Sequence, residues 1–94
     1  MDGGKNNIYL LYTCDAWKGT DSMRLTVATT STSRLKKAIE DRLHAEDMVY
    51  GDEKSTVKEQ LYRFRQDWKE MTADELNVLL KYGYIQEVGN GEII

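Results

Sequence analysis

Cys14 and His44 each occur once in the chain, so thiol catalysis would have to use both. A thiolate nucleophile needs a base or a positive charge nearby to lower its pKa. Cys14 is instead followed by Asp15, which opposes ionisation. His44 falls on the polar side of a helical run, near Glu40 and Asp47. A structural cysteine and a solvent histidine account for both. The acidic pairs Asp52-Glu53 and Asp74-Glu75 are adjacent in sequence. Glycosidase-type work needs two carboxylates facing each other across a cleft, one with its pKa raised by burial. His44-Ala-Glu46-Asp47 offers metal ligands, but no second cluster completes a known spacing. Gly89-Asn-Gly91 reads as a hairpin turn rather than a phosphate-binding nest. These residues predict no catalytic set, no metal and no cofactor.

Binding residues are better supplied. Arg34, Lys36, Lys37 and Arg42 fall on one helical run and Lys58, Arg63, Arg65 and Lys69 on another. Tyr62 and Trp68 are interleaved with the second group, as stacking platforms for nucleic acid would be. Glu59, Asp67 and Glu70 interrupt that face, and an i,i+4 pair such as Arg63–Asp67 suits a solvated helix equally well. Trp17 lies in the polar segment Cys14–Ser22, just past an apolar strand. It either folds back over the open end of the core or faces a partner. Tyr and Trp, with Arg, dominate interfaces when clustered and desolvated. The residues expected at a protein interface are therefore Trp17, Asp15, Lys18 and Arg24, then Tyr82 and Tyr84. Tyr9 is placed with Tyr82 and Tyr84 on a sheet face that helices leave open.

Elements of three kinds must position these groups. Ile8–Thr13 is apolar at both alternating sets, with Ile8, Leu10 and Tyr12 on one side and Tyr9 and Leu11 on the other. That pattern predicts a central strand. Met23–Thr29 alternates, which predicts a half-buried strand with Met23, Leu25 and Val27 inward. Helical spacing of Leu35, Ala38, Ile39 and Leu43 predicts a first helix over about 33–47. Met48–Lys54 reads as a connection. Thr56-Val-Lys-Glu59 is a capping box that opens a second helix, with an apolar stripe at Val57, Leu61, Phe64, Trp68 and Met71. Thr72-Ala-Asp-Glu75 opens a short third helix through Leu80. Tyr84–Val88 predicts a strand, and Asn90-Gly91 a hairpin to a short return over Glu92–Ile94. The expected fold is α+β, a small antiparallel sheet of three to four strands with two main helices and one short helix packed on one face.

The chain has 94 residues, of which 40% are hydrophobic, enough for one core. Residues 1–7 are expected to be a flexible terminus and 8–94 a single domain. A net charge of −3 disfavours a strongly basic nucleic-acid binder. The excess acid falls in 46–54 and 72–94, which carry −3 each, while 33–45 carry +2. One cysteine excludes an internal disulfide framework. No apolar run reaches the ~18 residues of a membrane span, and no secretory signal is evident. The expected setting is the cytoplasm.

Three stretches, Tyr9-Leu-Leu-Tyr-Thr-Cys-Asp-Ala-Trp17, Phe64-Arg-Gln-Asp-Trp-Lys-Glu70 and Leu80-Lys-Tyr-Gly-Tyr-Ile85, resemble small uncharacterised proteins encoded by phages and prophages. The resemblance implies a setting in which small acidic proteins inhibit host machinery, host defence included, by binding it. It assigns no catalytic residue. The leading expectation is a non-enzymatic protein-binding module acting on a host protein. The alternatives are a nucleic-acid regulator using Lys58, Arg63, Arg65 and Lys69, and a small-ligand-sequestering protein. Self-association fits any of these, because the first strand is apolar on both sides.

Overall fold

The computed structural model describes residues 7–89. The expected flexible terminus, Asn7 apart, and the Asn90-Gly91 turn with its returning strand lie outside the described residues. β1 (Ile8–Thr13) is the central strand of a three-stranded antiparallel sheet, between β2 (Arg24–Thr29) and β5 (Gly83–Val88). α1 (Thr32–His44), α2 (Val57–Trp68) and α3 (Ala73–Leu79) supply the helices. A two-stranded ribbon, β3 (Val49–Tyr50) with β4 (Leu80–Lys81), completes the α+β fold. Among the described residues, no helix is long and apolar enough to cross a membrane.

The core is built on one face of β1. Tyr9 and Leu11 are fully buried against Leu35, Ile39, Leu43, Leu61, Phe64, Leu76 and Ile85. Tyr9 is therefore a core residue, contrary to its expected place on the open face. The helical stripes explain why: α1 buries Leu35, Ile39 and Leu43, and α2 buries Leu61, Phe64 and Trp68. Both expected capping boxes form, at Thr56–Glu59 and Thr72–Glu75. In the first, the Thr56 backbone and hydroxyl both donate to Glu59, holding its carboxyl below the usual range.

β2 departs from its expected pattern. Register shifts between Leu11 and Tyr12, so Val27 pairs with Leu11 and Leu25 with Tyr12. Thr26 is the extra residue of a bulge, which turns Leu25 off the core face. Val27 packs on the core, whereas Leu25 is 58% exposed. Alternation over Met23–Val27 predicted both inside because a one-residue insertion cannot be seen in a period of two.

α1 also stops early, at His44 rather than Asp47. Glu46 adopts a left-handed φ of 62°, the Glu46 amide donates to Leu43 O, and the Asp47 amide donates to Arg42 O. This is a Schellman motif with glutamate where glycine is preferred. An ion pair at 2.8 Å between Arg42 and Asp47 spans it.

The segment 48–54 is more than a connection. Tyr50 is 1% exposed, its ring meets Phe64 edge-on at 5.4 Å, and its hydroxyl donates to Asp67 at 2.7 Å. The Tyr50 amide donates to Gln60 Oε1 at 3.0 Å, and Gln60 Nε2 donates to Ser55 O at 3.0 Å. A buried glutamine on the α2 stripe thus stands in for a missing strand neighbour. Burial first, then the Asp67 carboxylate, pushes the Tyr50 phenol far above its ordinary 10.0.

Two outcomes follow from this packing. Glu46→Gly removes a left-handed side-chain penalty and should raise unfolding free energy by about 1 kcal/mol in urea titration. Tyr50→Phe should lower it by about 2 kcal/mol at neutral pH, since a charge-assisted hydrogen bond is lost. The raised phenol stays neutral in the folded state while the unfolded phenol ionises near its ordinary value. Wild-type stability should therefore fall as pH rises above 10.0, with a shallower fall in Tyr50→Phe.

Candidate functional site

The face of the sheet opposite the core carries the side chains that alternate with Tyr9, Leu11, Val27 and Ile85. On β1 these are Ile8, Leu10 and Tyr12, all half-buried. On β2 they are Leu25 and Ala28, paired with Tyr12 and Leu10. On β5 they are Tyr84, Gln86 and Val88, paired with Tyr12, Leu10 and Ile8. The Tyr12 and Tyr84 rings lie 6.5 Å apart, and Tyr12 Oη donates to Gln86 Oε1 at 3.2 Å. Cross-strand aromatic pairing of this kind stabilises a sheet even where no second layer covers it.

The loop between β1 and β2 rises from one end of this face. Asp15 organises it. Its carboxylate accepts the amides of Trp17 at 3.1 Å and Gly19 at 3.0 Å, and the Asp15 amide donates to Ser22 Oγ. These bonds form an Asx-type turn in which Lys18 takes a left-handed φ of 53°. A single 3-10 turn, Thr20–Ser22, then leads into β2. Trp17 does not fold back over the core: it is 87% exposed at the tip of this pinned loop.

Lys18 reaches the other way. Its ammonium donates to Asn77 O at 2.5 Å near the C-terminal end of α3, passing 5.9 Å from the centroid of the Tyr84 ring. A cation there satisfies a helix-end carbonyl and is favoured by the helix dipole. Burial lowers the Lys18 pKa, with Cys14 acting against that shift. Cys14 is half-buried, and burial foremost pushes its thiol up, with Asp15 adding to the effect and Lys18 opposing it.

The expected interface residues therefore divide. Arg24 pairs with Thr13 and so falls on the opposite face from its neighbour Leu25, whereas Tyr84 lies on the open face and Trp17 on the loop at its end. Asp15 and Lys18 adjoin them, but their polar groups hold the loop and the α3 end. Tyr82 lies elsewhere, with its hydroxyl 3.5 Å from Glu53, in a groove of about 320 Å³ that Leu43, Met48 and Gln60 also line. Its φ of 64° turns the chain sharply between β4 and β5, which separates it from Tyr84. Leu25 and Tyr12 belong to the open face and were not among the expected contacts. Tyr12 was legible from its shared parity with Leu10, whereas Leu25 depends on the bulge.

The second set lies on α2. Lys58, Tyr62, Arg65 and Lys69 recur at i, i+4, i+7 and i+11, so they share one side of the helix. Tyr62 is 68% exposed. Arg65 pairs with Glu40 of α1 at 2.6 Å, and Arg63, off that side, pairs with Asp67 at 3.8 Å. Among the described residues, no group of three or more His, Cys, Asp or Glu is arranged to hold a metal ion.

Comparison of the chain with protein-family models, with curated proteins and with solved structures finds no match. Its functional reading therefore rests on the open face and the Trp17 loop themselves. Asp15→Ala should cost about 1 kcal/mol and loosen residues 16–19, seen as reduced heteronuclear NOE values, while Asp15→Asn keeps an acceptor and restores both.

Proposed function

We propose that the chain is a non-enzymatic protein-binding module that acts by occupying the surface of a larger protein. The observation that carries this reading is Trp17, 87% exposed on a loop fixed by two hydrogen bonds to Asp15. An indole held out by a pre-formed turn loses little conformational freedom on binding, which is what makes an effective anchor. The apolar face beside it, with Tyr12, Leu25 and Tyr84, supplies the surrounding surface that keeps water from such an anchor. The finer reading, an inhibitor made by a phage or prophage against a host protein in the cytoplasm, is supported by the resemblance in three stretches of sequence.

A second reading is nucleic-acid binding through α2, supported by exposed Tyr62 flanked by Lys58 and Lys69 on one side of the helix. Arg65 and Arg63 are already engaged by Glu40 and Asp67, which lowers the charge available to phosphates.

Affinity capture with the tagged chain, with and without nuclease, separates the two. A protein retained after nuclease treatment should bind Trp17→Ala about 30-fold more weakly than wild type when purified, a loss of about 2 kcal/mol. The variant's melting temperature should be unchanged, because Trp17 makes no core contact. Capture that vanishes with nuclease and falls steeply with salt overturns the leading reading in favour of α2.

A further inference from the structure

The two edges of the three-stranded sheet are treated differently. On β5, the outward backbone groups of Ile85 are taken by one side chain: the Ile85 amide donates to Asn77 Oδ1 and Asn77 Nδ2 donates to Ile85 O, both at 2.8 Å. On β2, the only strand neighbour among the described residues is β1. An exposed edge of this kind is a template for another strand unless charge, proline or a bulge prevents it. β2 holds no proline, Arg24 at its start is its single charge, and its Thr26 bulge leaves Leu25 and Ala28 exposed on one face rather than covering the edge.

We infer that the β2 edge is a self-association surface that pairs with β2 of a second copy about a two-fold axis. The bulge selects the register. In a regular strand, Leu25 and Ala28 would point to opposite faces. Here both pair with open-face residues of β1, Tyr12 and Leu10, so both lie on the open face. Antiparallel partners must point to the same face, and the register that satisfies this over the full length of β2 places Leu25 opposite Ala28 of the second copy, and Ala28 opposite its Leu25. A large exposed side chain then meets a small one at both symmetric positions. Thr26 meets Val27 and Arg24 meets Thr29 in the same register. The two Arg24 side chains stand about 17 Å apart along the seam, beyond the reach of unscreened repulsion. The two chains together form a six-stranded sheet, and each retains its own Trp17 loop.

Pairing along a strand of about 20 Å buries less than a standard interface, so the dimer is a weak one that depends on concentration. This inference does not depend on the protein-binding reading, because Trp17 takes no part in the seam. Sedimentation equilibrium at about 100 μM should show a dimer, and Ala28→Lys should raise its dissociation constant by at least 10-fold. The double variant Leu25→Glu/Ala28→Lys places opposite charges across the seam twice and should restore the dimer. Each variant replaces an exposed side chain, and matching thermal melts confirm that the monomer fold is kept. Trp17→Ala should dimerise as wild type does. A wild-type monomer at that concentration overturns the inference, as does an Ala28→Lys variant that dimerises unchanged. Failure of the charge swap to restore association overturns the register.

Discussion

The structure depends on β1 being apolar on both sides while, among the described residues, the helices cover only one of them. Tyr9 and Leu11 form the floor of the core, and the helices have nothing else of comparable area against which to bury their stripes. Placing β1 in the middle satisfies its backbone on both edges. The same placement leaves Ile8, Leu10 and Tyr12 facing away from the helical layer. Among the described residues, α1, α2 and α3 all contribute to the core on the other face, and none covers this one. The uncovered face is thus a consequence of the core.

The tethers around that face are polar and local. Asp15 shapes the loop, Lys18 ties it to the end of α3, and Asn77 ties α3 to the backbone of β5. This chain of contacts runs from the Trp17 loop through α3 to one sheet edge. Separately, Tyr50, Gln60 and Asp67 hold the β3–β4 ribbon to α2. Both groups use a side-chain amide to complete backbone bonding that a longer sheet would complete with another strand.

Much of the helical layer was legible without coordinates. Capping boxes at Thr56 and Thr72 and the stripe from Val57 to Met71 act over a few residues, so sequence carries their whole logic. β1 was legible to its end residues because an apolar run between polar segments has few alternatives. The ribbon was not: Val49–Tyr50 is two residues long, and its strand character comes from Leu80–Lys81 and Gln60, which are distant in sequence. The end of α1 was missed because glutamate takes the left-handed position that glycine usually marks.

Within the site, sequence by itself determined that Trp17 stands in a polar loop directly after the central strand. It also determined that Asp15 and Lys18 flank Trp17. Tertiary structure decided which way these groups point. It buried Tyr9, separated Tyr82 from Tyr84, and engaged Lys18 with a helix end. Through the Thr26 bulge it also turned Leu25 outward beside Tyr12. The physical reason is one of range. Caps, turns and amphipathic stripes depend on neighbours within about one helical turn. The face a strand residue occupies depends on register with a partner strand, and a single inserted residue reverses it.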